Sequence, residues 1–291
     1  MKDRPEVEVN SIPDVLSSFG VGPSHTIAPI HRGIANHNYG VSAGGSEYVV
    51  KFLGTQAPET IENDLAIQRQ LQRAGVGAPR YLRNRDGTCL YRGRNGIHAV
   101  ISEKIDGLPP NHMSVELAAD IGRHLALFHT SVEALPKPND TGLMNPGVAP
   151  VHSEGARRLL QQPLPRGIIH GDLHGGNVLV DPLQPDRVVA ILDFEEAGEN
   201  LYLIDLAVTL MAVSSSPGGG SIEPELLRAA KRGYESVRQL THEESLWLPQ
   251  AIAYASEAWI NWFRANGFGE YARQHQQRYD SYQDVFGADL L

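Results

Sequence analysis

The chain has 291 residues, of which 41% are hydrophobic. This length exceeds what one compact core usually serves, so we expect one large domain or two lobes. The formal net charge of −9 excludes most nucleic-acid-binding proteins, which need a basic face. No apolar run could span a bilayer, the N-terminal residues lack the apolar core of a secretory signal, and Cys89 is the single cysteine. We therefore expect a cytoplasmic monomer or homodimer without nucleic-acid or membrane partners.

The N-terminal third shows the alternation of apolar and polar residues that is typical of strands. Residues 26–53 predict three antiparallel strands, separated by a break at Gly33–Asn38 and a tight turn at Gly44–Gly45. A helix is expected next, because apolar residues recur at helical spacing up to Gly75. Residues 81–107 predict two more strands, with a turn at Asp86–Gly87 and a second break at Gly93–Gly96. This part is expected to be a lobe of five strands and one helix, residues 1–102.

The remainder, residues 103–291, predicts a mainly helical lobe, so the fold class is α+β with two lobes. Ser114 is expected to cap a helix whose apolar positions include Leu117 and Phe128. Short β segments surround polar loops at residues 167–198, and a Ser/Gly-rich loop is expected at Ser214–Ser221. Helical patterns follow at residues 223–240 and 243–263.

The strongest chemical signal is HGDLHGGNVLVD followed by VVAILDFE. Asp172 follows a short apolar segment, Asn177 lies five residues later, and Asp193 ends the next apolar strand. Three oxygen-bearing side chains are thereby expected to converge on one point. Phosphoryl transfer requires such a set, because one carboxylate orients the attacking hydroxyl while an amide and a second carboxylate hold magnesium.

This segment resembles the catalytic loop and metal motif of the aminoglycoside phosphotransferase branch of the protein-kinase-like superfamily. The resemblance implies that Asp172 is the catalytic base, that Asn177 and Asp193 are Mg²⁺ ligands, and that ATP is the phosphoryl donor. Gly171 replaces the arginine of the protein-kinase His-Arg-Asp motif, and no Ala-Pro-Glu motif follows Asp193. A small hydroxyl-bearing substrate is therefore favoured over a protein.

The resemblance also implies a nucleotide site in the N-terminal lobe. Lys51, in YVVKF, corresponds to the ATP lysine, and a buried ammonium requires counter-charges such as phosphates. Two acids are candidates for the partner of Lys51. The reach of its side chain favours Glu62, whereas the spacing from Gly75 that is usual in this branch favours Asp64. Both acids could equally be ordinary solvated residues of the helix.

Two further segments occupy the places of nucleotide-contacting elements in that superfamily. Gly33, Asn36 and Asn38 stand where a loop covers the phosphates, although GxGxxG is absent and a plain hairpin turn is the alternative. The hinge, whose backbone meets adenine, would run from Ser102 to Lys104.

Several neighbouring residues have structural or competing explanations. Metal binding by His170, Asp172 and His174, as in a metallohydrolase, is the rival hypothesis, but it leaves Asn177 unexplained. Asp205 is expected to brace the catalytic loop, to cap a helix, or both. We expect a buried, hydrogen-bonded core histidine at 129 and a buried, unreactive thiol at Cys89.

Within the branch, the chain resembles the homoserine kinase group. The similar segments are GIANHNYGV, YVVKF, LQRAGVGAP, IGRHLALFH and, most specifically, Gly233 to Glu244. The group usually has Phe-Tyr after the metal aspartate and an arginine in the late helix. This chain has acids instead, Glu195 and Glu196 after Phe194, and Glu257 in the late helix.

The substituted acids bear on the acceptor. Glu195, Glu196 and Glu257 suit a substrate that carries an ammonium group, and Trp259 is a further candidate because this region faces the substrate in related kinases. The acceptor is therefore expected to be L-homoserine or a related amino-alcohol. Aminoglycoside, choline or hydroxylysine kinases are alternatives, and a catalytically inactive nucleotide-binding scaffold is a remote one.

Overall fold

A computed structural model of the protein describes residues 6–30, 36–54, 56–93, 96–136, 142, 144–145 and 151–287. The chain forms two compact units. The first comprises Met1–Arg69 and Ala78–Asp106, and the second comprises Gln70–Gly77 and Gly107–Leu291.

The first unit contains an antiparallel sheet with the strand order β1-β2-β3-β5-β4. Its elements, in chain order, are α1 (Glu6–Ser18), β1 (Ser24–Ile30), β2 (His37–Ala43), β3 (Ser46–Phe52), α2 (Ile61–Arg73), which runs into the second unit, β4 (Tyr91–Arg92) and β5 (His98–Glu103). The predicted five strands, with one helix between the third and fourth, are confirmed.

Helix α1 was not predicted from the sequence, and it covers one face of this sheet. Its Ile12, Val15 and Leu16 are buried in a core shared with Val50 and Phe52 of β3. Its sequence, EVEVNSIPDVLSS, contains a proline and several polar residues, so the helical repeat is weak. Packing on the sheet stabilises a helix that local preference alone would not predict.

The other face of the sheet is covered by α2. Lys51 lies directly opposite Val100 of β5, so both side chains point to this face. Val100 packs in a second core with Ile61 and Leu65 of α2 and with Cys89. Burial raises the pKa of the Cys89 thiol, which is consistent with the predicted unreactive cysteine.

The second unit is mainly helical, which confirms the predicted α+β class. Its elements are α3 (Val115–Val132), α4 (Glu154–Leu160), β6 (Arg166–Ile169), β7 (Val178–Asp181), β8 (Gln184–Ile191), β9 (Gly198–Leu201), α5 (Tyr202–Val213), α6 (Pro224–Glu235), α7 (His242–Ala265) and α8 (Gly269–Phe286). Strand β6 pairs with β9 and β7 with β8. Ser114 caps α3 as predicted, since its hydroxyl accepts from the Leu117 amide.

Helices α3 and α6 pack unusually closely because glycines lie at their crossing. A Cβ placed on Gly122 would lie 1.9 Å from the Ala230 carbonyl oxygen, and one on Gly233 would lie 1.8 Å from that of Ala119. The two glycines therefore let the backbones touch, and they fix how α6 presents its side chains to α3. Among the residues that the structure describes, no helix has the length and apolar character needed to cross a membrane.

Candidate active site

The predicted catalytic loop begins where the buried strand β6 ends. Gly171 has a φ of +81°, and a Cβ there would lie 2.6 Å from the Glu196 carbonyl oxygen. Both the backbone conformation and the close approach require glycine. This explains in steric terms why glycine, rather than a long side chain, precedes Asp172.

Asn177 joins the two ends of the loop. Its Nδ2 donates to the Asp172 carbonyl oxygen at 2.8 Å and to Asp172 Oδ2 at 3.1 Å. Its own carbonyl oxygen accepts from the Leu192 amide at 2.8 Å, beyond the end of β8. The predicted convergence of Asp172 and Asn177 is therefore present. Because the amide nitrogen faces Asp172, the amide oxygen is the atom suited to a metal ion.

Asp193 follows β8 and adopts a left-handed backbone conformation, with φ at 60°. It is the only non-glycine residue with a positive φ among the described residues. Non-glycine residues rarely adopt this conformation, and such strain concentrates at functional sites. The positive φ of Asp193 is therefore consistent with a functional side chain, for which the cost of the strained backbone is accepted.

His170 is fully buried, and both of its ring nitrogens are engaged. Nδ1 accepts from the Asp172 amide at 3.3 Å, and Nε2 donates to the Leu192 carbonyl oxygen at 3.0 Å. His170 thus links the loop to the segment before Asp193 and cannot ligate a metal. In the described part of the chain, no three His, Cys, Asp or Glu residues form a metal-binding group. The metallohydrolase alternative therefore has no support.

Asp205, on the first turn of α5, holds the backbone of the loop. Its Oδ2 accepts from the His170 amide at 2.7 Å and its Oδ1 from the Gly171 amide at 2.9 Å. His129 Nε2 lies 2.8 Å from the same Oδ2. Asp205 therefore braces the loop, and it does not cap α5, whose N-cap is Leu201. The predicted buried and hydrogen-bonded state of His129 is confirmed.

The two acids proposed to pair with Lys51 differ in burial. Lys51 is 9% exposed and Asp64 is 1% exposed, whereas Glu62 is exposed. Asp64 Oδ2 also accepts from Gln56 Nε2 at 2.9 Å. Since Lys51 points to the α2 face of the sheet, the buried acid on that helix is the better partner, which favours Asp64.

The remaining nucleotide candidates have mixed environments. Asn36 is buried, and its amide oxygen accepts from the Gly54 amide at 2.9 Å. Asn38 lies opposite Lys51 in the β2–β3 ladder. Ser102 is a buried position of β5, and the Lys104 amide donates to the Glu47 carbonyl oxygen at 3.0 Å. Gly33 lies outside the described residues.

The four substrate candidates lie in two places. Glu195 and Glu196, which follow Asp193 after Phe194, are half-buried, and Glu196 lines a small cavity with Glu199 and Asn200. Glu257 Oε1 accepts from the amides of His152 and Ser153 at 2.6 and 3.2 Å, just before α4. Trp259 stacks on Phe263 at 5.3 Å. One carboxylate oxygen of Glu257 thus stabilises the start of α4.

A buried polar group was not assigned any role from the sequence. Tyr234, Arg238 and Glu244 lie in the Gly233–Glu244 segment, and Tyr234 Oη lies 2.9 Å from His129 Nδ1. Arg238 contacts both Tyr234 and Glu244. The sequence shows Arg238 six residues before Glu244, the glutamate of a capping box, and this spacing permits an ion pair. The link from this pair to His129 depends on the tertiary fold and has no signal in the sequence.

Comparisons with known proteins identify the family of the chain. The model of the phosphotransferase enzyme family matches residues 26–150 and 149–240. The homoserine kinase of Ralstonia nicotianae is 28% identical over 276 residues, which cover 84% of this chain and 82% of that protein.

Solved structures share the fold. A microcompartment-associated aminopropanol kinase superposes with a TM-score of 0.72 at 20% identity, covering 97% of this chain and all of the other. An amicoumacin kinase in complex with AMP-PNP and Ca²⁺ has a TM-score of 0.71 at 16% identity, covering 95% and 96% of the two chains. As the catalytic motifs predicted, the chain therefore belongs to the phosphotransferase enzyme family and is an ATP-dependent phosphotransferase.

Proposed function

We propose that the protein transfers the γ-phosphoryl group of ATP to the hydroxyl of L-homoserine or a closely related amino-alcohol, with Asp172 as the base. The observation that carries this proposal is the pair of hydrogen bonds from Asn177 Nδ2 to the Asp172 main chain and carboxylate. They fix a carboxylate at the end of a buried strand, which is what positioning catalysis of phosphoryl transfer requires.

Asp172 accepts the hydroxyl proton of the acceptor as the oxygen attacks phosphorus. Its Oδ2 is held by Asn177, and His174 Nε2 lies 3.6 Å from the same oxygen. Oδ1 is therefore the oxygen that we assign to the acceptor hydroxyl. A base held in one rotamer loses little freedom on binding the substrate, so it orients the hydroxyl as well as deprotonating it.

Asn177 and Asp193 are proposed as the magnesium ligands. Their donor atoms, an amide oxygen and a carboxylate, are the hard oxygen ligands that Mg²⁺ prefers. Bound magnesium would neutralise charge on the transferred phosphates. The strained backbone of Asp193 supports this assignment, because it holds the side chain in a direction that an unstrained strand end would not.

Lys51 and Asp64 are proposed to serve the nucleotide. A buried ammonium beside a buried carboxylate is stable when each has a partner, and phosphate oxygens supply further counter-charge. The burial of Asp64, against the exposure of Glu62, supports Asp64 as the Lys51 partner. Asn36, whose amide oxygen accepts from the Gly54 amide, is proposed as a further contact of the phosphates.

The acceptor is assigned from chemistry and from the relatives. The matched relative is named a homoserine kinase and the matched structure an aminopropanol kinase. Both acceptors carry an amine a few bonds from a hydroxyl. Glu195 and Glu196, which follow Asp193 after Phe194, are proposed to bind that ammonium. Glu257, one oxygen of which accepts from two backbone amides, is a further candidate.

A phosphorylation screen tests the substrate. We would measure ADP release with L-homoserine, aminopropanol, hydroxylysine, choline, methylthioribose and kanamycin at equal concentration, with water as the blank. L-homoserine is expected to give the highest rate. If the rate with L-homoserine equals the blank while another acceptor gives a clear rate, the homoserine assignment is rejected and the assignment as a kinase stands. Nucleotide binding without turnover of any acceptor would favour the scaffold alternative.

A further inference from the structure

A single chain of hydrogen bonds runs from the start of α7 to the catalytic loop. Arg238 Nη2 lies 2.8 Å from Glu244 Oε1, and Arg238 Nη1 lies 3.1 Å from Tyr234 Oη. Tyr234 Oη lies 2.9 Å from His129 Nδ1, and His129 Nε2 lies 2.8 Å from Asp205 Oδ2. Asp205 in turn accepts from the two amides that precede Asp172.

The chemistry of the end groups fixes the direction of every bond. Arginine has no acceptor, so Arg238 donates to Tyr234, whereas the Asp205 carboxylate only accepts, so a neutral His129 donates to it from Nε2 and accepts the Tyr234 hydroxyl at Nδ1. His129 therefore carries its proton on Nε2, where it donates to the carboxylate of Asp205. Reversing any one bond would place two donors or two acceptors face to face in a buried site, which costs roughly 1–3 kcal/mol.

The fold holds the first members of this chain firmly. The close α3–α6 crossing at Gly233 places the neighbouring Tyr234 against His129 of α3. The Arg238 guanidinium lies 5.1 Å from the ring centre of Tyr202 and 5.8 Å from that of Tyr234. Glu244, fully buried, balances its charge and also closes the capping box of α7 with Thr241.

We propose that Arg238 and Tyr234 are positioning residues for catalysis: they fix the Nε2-protonated tautomer of His129, and so hold Asp205 on the amides of His170 and Gly171. This inference goes beyond the proposed substrate and holds for any acceptor. It gives the Gly233–Glu244 segment a role in positioning the loop that carries the proposed base, Asp172, rather than in binding the substrate. Burial lowers the pKa of His129, against the raising effect of Asp205, which keeps the ring neutral as a single tautomer requires.

Tyr234→Phe tests the proposal with the smallest change. It removes the hydroxyl but keeps the ring that packs on His129 and Arg238. We expect kcat to fall about 10-fold, with KM for ATP within about two-fold of wild type. Tyr282→Phe is the matched control, because Tyr282 is buried and its hydroxyl has no hydrogen-bond partner within the described structure. Its kcat should equal that of wild type.

The assay is ADP release from Mg·ATP, run with L-homoserine and with water alone, so that it does not depend on the acceptor. Wild-type kcat for Tyr234→Phe in both arms would overturn the proposal. The proposal would also be overturned if kcat fell only in proportion to the fraction of folded, ATP-binding protein, because Tyr234 would then have a purely structural role. If Tyr234→Phe does not fold, Arg238→Lys replaces it, with an expected loss of about 3-fold. Wild-type kcat there would reject the proposal.

The tautomer can be observed directly. In protein labelled with ¹⁵N-histidine, long-range ¹H–¹⁵N spectra distinguish a protonated Nε2 from a protonated Nδ1. His129 is assigned through its proximity to the ring of Tyr202, whose centroid lies 4.3 Å away. We expect Nε2–H in the wild type and a mixture of tautomers in Tyr234→Phe. A protonated Nδ1 in the wild type would overturn the proposal without reference to activity.

Discussion

Asp205→Asn is the most informative change to the brace of the catalytic loop. The Asp205 carboxylate is fully buried and accepts three hydrogen bonds, two from backbone amides and one from His129. An asparagine amide has one acceptor oxygen, so its NH₂ group must face a donor. If the oxygen keeps the two bonds of Oδ2, the NH₂ group faces the Gly171 amide. Losing one charge-assisted bond and leaving two buried donors unpaired costs about 3 kcal/mol of unfolding free energy.

The same substitution predicts a pH dependence. Burial is the largest influence on the pKa of Asp205 and would raise it, but the hydrogen bond from His129 and the further favourable interactions with His129 and His170 together outweigh burial, so the pKa is lowered. A carboxyl with a lowered folded-state pKa stabilises the fold above its unfolded value, here about 3.8, and loses that effect as pH falls through the folded value. The stability difference between wild type and Asp205→Asn should therefore be constant from about pH 5 upward and shrink below pH 3.8.

Urea unfolding followed by tryptophan fluorescence measures this difference. All three tryptophans, Trp247, Trp259 and Trp262, lie in α7, so the signal reports on the unit that contains Asp205. Asp280→Asn, on the exposed surface of α8, is the matched control and should change stability by less than about 0.5 kcal/mol. A loss for Asp205→Asn no larger than for this control would refute the reasoning.

Two further predictions concern packing and the nucleotide site. Gly233→Ala should cost about 3 kcal/mol in the same unfolding assay, because its Cβ would lie 1.8 Å from the Ala119 carbonyl oxygen. Gly155→Ala, in α4 with open space around it, should instead stabilise by about 0.5 kcal/mol, and equal effects would contradict the packing account. Asp64→Ala should raise KM for ATP at least 10-fold while Glu62→Ala leaves it within two-fold; the reverse result would assign the pair to Glu62.

Much of the fold could be predicted because its signals are local. The alternation in β1 to β3, the stop at Gly75 and the Ser114 cap each act within a few residues. Helix α8 was missed because its sequence is largely polar and its buried positions are few, so no apolar stripe marks it. Helix α1 was missed for the related reason that the sheet, rather than its own repeat, stabilises it. The domain boundary after residue 102 stays a prediction.

The catalytic loop was predictable because its chemistry depends on short spacing. Asp172 and Asn177 are five residues apart, and the structure joins them by hydrogen bonds. The contact between Tyr234 and His129 was not predictable, because the two residues are 105 positions apart and meet only through the α3–α6 crossing. Likewise, nothing in the sequence indicates that Glu257 has a backbone partner, yet in the fold its carboxylate accepts hydrogen bonds from the amides just before α4.

The assignment of Asp172 as the base is tested most directly by Asp172→Asn. The amide keeps the size of the side chain but cannot take a proton. We predict that kcat falls about 10²–10⁴-fold while the affinity for Mg·ATP, measured by calorimetry, and the urea midpoint match those of Asp280→Asn. A variant that keeps wild-type kcat would contradict the account.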